Sequence, residues 1–331
     1  SETREMWDKL KLGYTESTGH PLLRQEIAGL HSHIKQDNVL VAAPEEAIFV
    51  AMNVLLQKGD HVVTTFPGYQ SLYQIADSIG CPVSRWKPEQ RETWYFNINT
   101  LEELITESTR LLVVNFPHNP TGATLSRTQF SQLIDLARSR DLIFFSDEMY
   151  RFLEYDPALR LPAASDLYEQ AISLSGLSKS FALAGLRIGW LTSKHDSFLE
   201  QCALFKDYTT ICSSAPSEIL AIAALRRKET ILQRNHDIID TNLKLLDDFF
   251  AGYDDIFSWH RPQAGPIGFP ELTSSIPVEK FCLDLIEKKG VLLLPASLYD
   301  WPGNNFRIGF ARRDMKQSLQ LLEEYAGALR T

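Results

Sequence analysis

The chain has 331 residues, of which 44% are hydrophobic, and this length predicts about two domains that share a large core. Its 33 Lys and Arg against 42 Asp and Glu give a formal net charge of −9 without any basic block, which argues against a nucleic-acid partner. No apolar run approaches the ~20 residues that a membrane-spanning helix needs, so no membrane segment is expected.

From about residue 40 to residue 192, short β-branched or aromatic runs alternate with helical patterns. This alternation is typical of an α/β fold with a mostly parallel central sheet and helices on both faces. A helix is predicted over residues 45–56, and another after Ser126, an N-cap candidate with Gln129 three residues on. The predicted strands are residues 38–41, 61–65, 110–115, 142–146, 171–175 and 187–192.

After about residue 215 the pattern changes to long helices and then to a second, smaller α/β segment. There the sequence predicts a helix over residues 278–289 that stops at Gly290, strands over 291–294 and 306–310, and a final helix over 316–329. We therefore expect a large domain over residues 27–225 and a small domain formed by both chain ends, residues 1–26 and 226–331.

Polar loops follow the predicted strands, and in open α/β sheets ligands bind beyond the carboxyl ends of the strands. Taken singly, the residues in these loops mean little. A lysine near Ser and Gly, such as Lys179, is usually a solvated surface residue, and an acid after a strand, such as Asp147, is often a helix N-cap. The loops read FPGY (66–69), PHNPTG (117–122), DEMY (147–150) and SKS (178–180).

Taken together, these loops resemble those of one family. The segment SKSFALAGLRIGW over residues 178–190 is similar to the lysine segment of fold-type I pyridoxal 5'-phosphate (PLP) enzymes, the aspartate aminotransferase superfamily with its class I and II aminotransferases. The other segments of that family appear in its order, and the resemblance runs from Tyr14 to the C-terminal helix. It implies a PLP-dependent aminotransferase.

The resemblance implies three catalytic residues. Lys179 would hold PLP as a Schiff base and move the Cα proton to the cofactor, the central step of transamination. Asp147 would pair with the pyridine nitrogen and keep it protonated. Tyr150 would donate a hydrogen bond to the phenolic oxygen of PLP together with Asn119.

The remaining implied cofactor ligands hold the phosphate and the ring. Ser178 and Arg187 would bind the phosphate, and Tyr14 would reach the phosphate of a neighbouring subunit in a homodimer. Phe66 would stack on the pyridine face, although Tyr69 competes for that role.

For the substrate, the resemblance implies that Arg307 binds the α-carboxylate through a two-bond fork, next to Asn119. Arg307 lies between apolar neighbours on a predicted strand, which places it on the same face as Asn305 and Gly309. A position that faces the pocket is therefore expected.

One segment departs from the family pattern. At residues 42–47 the sequence is AAPEEA where a small phosphate-binding turn is usual, and Pro44 has no N–H to donate. The N–H groups of Glu45 and Glu46 would then bind the phosphate with their carboxylates turned away. Alternatively, the Glu45 carboxylate faces the substrate, which favours an amine or guanidinium substrate or chemistry other than plain transamination.

The leading hypothesis is amino-group transfer between an L-amino acid and a 2-oxo acid. The alternatives are elimination, replacement or cyclisation on the same fold and, less favoured, a non-catalytic effector domain. Four scattered cysteines without metal-ligand spacing predict free thiols, a cytoplasmic protein and no metal site. No signal peptide is visible, and further residues are expected upstream because patterned sequence begins by Gly13.

Overall fold

The computed structural model describes residues 2–330. Its helices are α1 (Glu2–Asp8), α2 (Pro21–Ala28), α3 (Pro44–Leu55), α4 (Ser71–Ile79), α5 (Ile98–Glu102), α6 (Arg127–Ser139), α7 (Ala164–Leu167), α8 (Asp196–Lys206), α9 (Ala215–Leu225), α10 (Lys228–Gly252), α11 (Val278–Lys289) and α12 (Met315–Leu329). Its strands are β1 (Val39–Ala42), β2 (His61–Thr65), β3 (Val83–Trp86), β4 (Glu89–Gln90), β5 (Trp94–Tyr95), β6 (Thr109–Asn115), β7 (Ile143–Asp147), β8 (Ala171–Gly176), β9 (Gly189–Ser193), β10 (Phe257–Ser258), β11 (Ile267–Gly268), β12 (Glu271–Leu272), β13 (Leu294–Pro295) and β14 (Phe306–Gly309).

A seven-stranded sheet in the order β1-β9-β8-β7-β6-β2-β3 forms the centre of the molecule. The strands from β8 to β3 pair in parallel, whereas β9 runs antiparallel to both β8 and β1. Only residues 177–188 connect β8 to β9. Because a parallel return usually runs through an α-helix and this connection has none, it goes with an antiparallel pair. The predicted mostly parallel α/β fold is confirmed.

Helices cover both faces of this sheet. In β6, Leu111 and Val113 lie in the cluster that includes residues of α3, α4 and α8, whereas Leu112 and Val114 lie in the cluster that includes residues of α5 and α6. Successive side chains of a strand point to opposite faces, so one apolar run supplies both cores. The polar loops are thereby left at the strand ends.

Several predicted elements have the expected bounds to within two residues. The capping box at Ser126 is confirmed, since its hydroxyl accepts from the Gln129 N–H and the Gln129 amide accepts from the Ser126 N–H. The predicted strand over residues 187–192 begins later, at Gly189, because Arg187 has a left-handed backbone with φ 55°. The strand β3 was not predicted, because its pattern is only half apolar.

A second unit packs around the three-stranded sheet β11-β14-β13. Its core joins residues of α10, α11 and α12, and Gly290 ends α11 in a left-handed conformation as expected. The strand predicted over residues 291–294 is wrong except at its last residue, since β13 starts at Leu294. Leu23 and Ile27 of α2 pack with β1 and β9, which favours placing α2 with the large unit; the domain division stays a prediction.

Candidate active site

A cavity of about 280 Å³ lies at the carboxyl ends of β6, β7 and β8, where the polar loops were expected to meet. The start of α3 and the strand β14 complete its wall. The structure thus brings together most of the side chains selected from the sequence. These lining residues are Glu45, Asn119, Asp147, Tyr150, Ser178, Lys179, Arg187 and Arg307.

Asp147 is the buried acid of the cavity, with 5% of its surface exposed. Its Oδ1 accepts a hydrogen bond from the Met149 N–H at 3.1 Å, so it closes a turn and caps no helix. Burial raises the pKa of Asp147 to about 7, and the Met149 N–H and the charge of Lys179 only partly oppose this shift. A further positive charge next to Asp147 would favour its ionised form.

Lys179 lies in the same cavity on the loop between β8 and β9. Burial lowers the pKa of Lys179, and the positive charge of Arg307 lowers it further. Two hydrogen bonds fix the loop at Ser180. The Ser180 hydroxyl donates to the Met149 carbonyl at 3.0 Å, and Asn235 Nδ2 donates to the Ser180 carbonyl at 2.8 Å. An amine with a lowered pKa is thus held in the same cavity as the acid.

Arg307 and Asn119 also line the cavity and contact each other. The Arg307 guanidinium donates to Asn119 Oδ1 at 3.3 Å. The side chain of Arg307 faces the cavity between the buried Phe306 and Ile308, as the alternation of the strand requires. The guanidinium keeps further N–H groups for a carboxylate.

Tyr150 closes the floor of the cavity and is 5% exposed. Burial raises the pKa of its hydroxyl, which the charge of Arg307 opposes, so the phenol stays protonated and able to donate. Its ring packs beside Gly265, where an added Cβ would lie 3.5 Å from Tyr150 Cδ1. Tyr150 thus lines the cavity with a phenol that can donate a hydrogen bond.

The first turn of α3 presents free backbone donors to the same cavity. Its N-cap, Ala43, has no side-chain acceptor, so the first N–H groups of the helix are uncapped. Pro44 approaches the sheet closely, and an added Cβ on Gly189 would lie 2.7 Å from Pro44 Cγ. The N–H groups of Glu45 and Glu46 are therefore available for an anion.

Ser178 and Arg187 stand near this helix start. Ser178 Oγ is buried without any hydrogen-bond partner among the described residues. The left-handed backbone of Arg187 turns its side chain to the cavity, although the side chain also donates to the Ala184 carbonyl at 3.2 Å. A buried hydroxyl without a partner is costly, and a bound oxyanion would satisfy it.

Phe66, which was expected to stack on the cofactor ring, is not among the described residues that line the cavity. It is 1% exposed and packs against Tyr73 and Trp301, and the Arg85 guanidinium lies 4.3 Å from its ring centroid. Tyr69 lines the cavity instead. Because Phe66 directly follows the end of β2, its side chain is drawn into the core, whereas Tyr69 lies three residues further along the turn.

The two carboxylates at the start of α3 point in different directions. Glu45 lines the cavity and accepts hydrogen bonds from the Tyr69 hydroxyl at 2.8 Å and from the Ser71 hydroxyl. Glu46 turns away and accepts from Thr210 Oγ1 at 2.7 Å. Only half of the expectation that both carboxylates turn away therefore agrees with the structure.

Asn115 was not selected from the sequence, yet it lines the cavity and is 1% exposed. Its Nδ2 donates to the Asp147 carbonyl at 3.0 Å, and its Oδ1 accepts from the Asn119 N–H at 2.8 Å. An asparagine at the end of the apolar run LLVVN was a visible signal, because a buried amide needs partners.

Tyr14 lies outside the cavity, with 86% of its surface exposed. Its expected role concerns a neighbouring subunit and stays a prediction. No group of three or more His, Cys, Asp or Glu side chains that would suit a metal ion is found within residues 2–330. The four cysteines are free, and three of them are buried.

The chain matches the family model for aminotransferase class I and II over residues 9–324. It belongs to this family. This chain is 28% identical over 285 residues to capreomycidine synthase from Streptomyces vinaceus, and the match covers 85% of this chain and 72% of that protein.

Two solved structures have the same fold as this protein over nearly its whole length. A PLP-dependent aminotransferase from Streptococcus suis 89-1591 is 30% identical with a TM-score of 0.91, and the match covers 98% of this chain and 86% of that one. The PLP-dependent cyclase OrfR is 26% identical with a TM-score of 0.90, covering 99% and 89%. The protein is thus a PLP-dependent enzyme of fold type I.

Proposed function

We propose that this enzyme is an aminotransferase that moves an amino group between an L-amino acid and a 2-oxo acid. The observation that carries the proposal is that Lys179, Asp147 and Arg307 line one cavity beside uncapped helix N–H groups. When bound, PLP supplies an aldehyde for the amine and a ring that accepts electrons from the substrate Cα. We take Lys179 as the residue that binds it covalently.

Each remaining side chain has a task that its surroundings support. Asp147 would lie against the pyridinium nitrogen, whose positive charge keeps the carboxylate ionised despite its burial. Asn119 and Tyr150 would donate to the phenolic oxygen. Ser178, Arg187 and the N–H groups of Glu45 and Glu46 would hold the phosphate, and Tyr69 rather than Phe66 would cover the ring.

The substrate would enter with its α-carboxylate against the Arg307 guanidinium, since a planar fork suits a carboxylate. Lys179 would then take the Cα proton as a free base. Burial lowers the pKa of Lys179, which favours the free base that this role needs.

We also propose that the active unit is a homodimer. Large apolar side chains are exposed on and after α8 and on the N-terminal segment: Leu204 at 65%, Tyr208 at 92% and Tyr14 at 86%. The two regions adjoin, since Lys206 Nζ donates to the Ser17 carbonyl at 2.6 Å. Such a patch is typical of a subunit interface, and Tyr14 would reach the partner's phosphate.

A second candidate is cyclisation or elimination on an amino acid. The similarity to OrfR, a PLP-dependent cyclase, favours it, because the same fold serves both kinds of reaction. The two are told apart by products. Transamination gives a 2-oxo acid and a cofactor that a second oxo acid restores, whereas elimination releases ammonia and cyclisation gives a ring product without amino-group transfer.

The cofactor site is tested by borohydride reduction of the purified enzyme followed by peptide mapping. We expect PLP fixed to Lys179, and we expect the Lys179→Ala variant to lose both the visible absorbance of bound PLP and at least a thousandfold in turnover. The variant should keep the far-UV circular dichroism of the parent. Cofactor fixed to another lysine would overturn the assignment.

A further inference from the structure

We propose that Glu45 selects substrates whose side chain carries a positive charge, so that this enzyme acts on basic α-amino acids with an amine or guanidinium group. The inference rests on the proposed function and deepens it. It starts from the charges in the cavity, which are Lys179, Arg187 and Arg307 against Asp147 and Glu45.

Every charged side chain of the cavity except Glu45 has a task in the proposed function. Lys179 would bind PLP covalently, Arg187 would bind the phosphate, Arg307 the α-carboxylate, and Asp147 the pyridinium nitrogen. Glu45 forms no ion pair with any described side chain of residues 2–330, and its oxygens accept only from the hydroxyls of Tyr69 and Ser71. Glu45 is exposed at the cavity, and a carboxylate there without a protein counter-ion attracts a cationic ligand by charge complementarity.

The position of Glu45 gives a second, independent argument. Beside the cavity lies a groove of about 510 Å³ between α3, α4 and the loop after α8, and among the described residues Glu45 is the one that lines both. Glu45 therefore stands where a long substrate side chain would leave the cavity. No described lysine, arginine or histidine lines the groove and Glu46 adds a second carboxylate, so the charges there oppose an acidic side chain.

The carboxylate is also held in place before any ligand arrives. The Tyr69 hydroxyl donates to Oε2 and the Ser71 hydroxyl donates to Oε1. Because Tyr69 itself lines the cavity, this contact fixes Glu45 relative to the reacting centre. A fixed charge discriminates better than a mobile one, since less side-chain freedom is lost on binding.

The test compares four amino donors on the PLP-loaded enzyme: L-arginine, L-ornithine, L-norleucine and L-aspartate. Norleucine is a long neutral side chain, and aspartate carries the opposite charge. We expect kcat/KM for the two basic donors to exceed that for norleucine by about tenfold or more, and aspartate to be the poorest. Binding is measured separately with α-methylornithine, which has no Cα proton to lose, by calorimetry.

The Glu45→Gln variant keeps the backbone N–H and the shape of the side chain but removes the charge. We expect the ratio of kcat/KM for ornithine over norleucine to fall about tenfold, the affinity for α-methylornithine to fall in parallel, and Glu45→Lys to raise the ratio of aspartate over ornithine. Glu102→Gln removes an exposed carboxylate paired with Arg140 outside the cavity and should leave all ratios unchanged.

An unchanged ornithine-to-norleucine ratio in Glu45→Gln would overturn the inference, as would a parent enzyme that accepts norleucine or aspartate and rejects both basic donors. Either result would leave the aminotransferase proposal intact. An enzyme that binds PLP on Lys179 but yields no 2-oxo acid from any of the four donors would count against both proposals.

Discussion

Asn115 shows how one buried amide connects the two halves of the cavity. It links the backbone of Asp147, the expected partner of the ring nitrogen, to the backbone of Asn119, an expected donor to the phenolic oxygen. Asn115 is the last residue of β6 and is paired in register with Asp147, the last residue of β7. The spacing of the acid and the donor is therefore set by a residue that needs no contact with substrate.

We predict that Asn115→Leu lowers the free energy of unfolding by about 2 kcal/mol, because it leaves the Asn119 N–H and the Asp147 carbonyl without buried partners. PLP affinity should fall as well. Urea unfolding and absorbance titration with PLP measure the two effects. Asn99→Leu, at an exposed position of α5, is the matched control, and equal stability of both variants would contradict the prediction.

Several site residues were predictable one by one, since Lys179, Asp147, Asn119, Arg187 and Arg307 follow a known pattern and all line the cavity. Phe66 was not predictable. Both Phe66 and Tyr69 lie in the turn after β2, and the sequence does not tell which ring is drawn into the core. The contacts of Phe66 with Tyr73, Trp301 and Arg85 decide this. Arg85 and Trp301 are distant from Phe66 in sequence, so these contacts cannot be read from the local pattern.

The proposed role of α3, phosphate binding by its first N–H groups, depends on how close the helix lies to the central sheet. The bounds of α3 were predictable from the apolar periodicity of residues 45–56. The distance between α3 and the sheet was not predictable, because it depends on two glycines in other strands. An added Cβ on Gly176 would lie 3.3 Å from Pro44 Cγ, and on Gly189 only 2.7 Å.

We predict that Gly189→Ala weakens PLP binding by about tenfold, since the added methyl group would also lie 2.9 Å from the Ser175 carbonyl and must displace the start of α3. Equilibrium titration with PLP measures the change. Gly252→Ala, at the end of α10 with nothing within 4 Å of the added Cβ, should leave binding unchanged. Equal PLP affinities in the two variants would contradict the close approach of α3 to Gly189.

At the scale of the whole molecule, Tyr14, Leu204 and Tyr208 leave large apolar surfaces exposed. Within residues 2–330, no helix combines the length and the apolar character needed to cross a bilayer. A second copy of the chain is the partner that we propose. The cytoplasmic location stays a prediction.

We predict that the enzyme sediments as a dimer and that Leu204→Asp shifts it towards the monomer, because a buried charge without a partner is costly. PLP should bind more weakly to that variant if Tyr14 completes the neighbouring site. Leu283→Asp is the control, since Leu283 is 55% exposed on α11 in the second unit. A parent enzyme that sediments as a monomer would refute the dimer.

The sequence by itself determined the α/β class, most strand positions, the capping box of α6 and the side chains that meet at the strand ends. These follow from short-range periodicity and from the order of segments along one chain. Only the tertiary structure decided the antiparallel β9, the choice of Tyr69 over Phe66, the inward turn of Glu45 and the role of Asn115. Each of these depends on contacts between residues distant in sequence, because packing and hydrogen-bond partners select among orientations that local patterns leave equal.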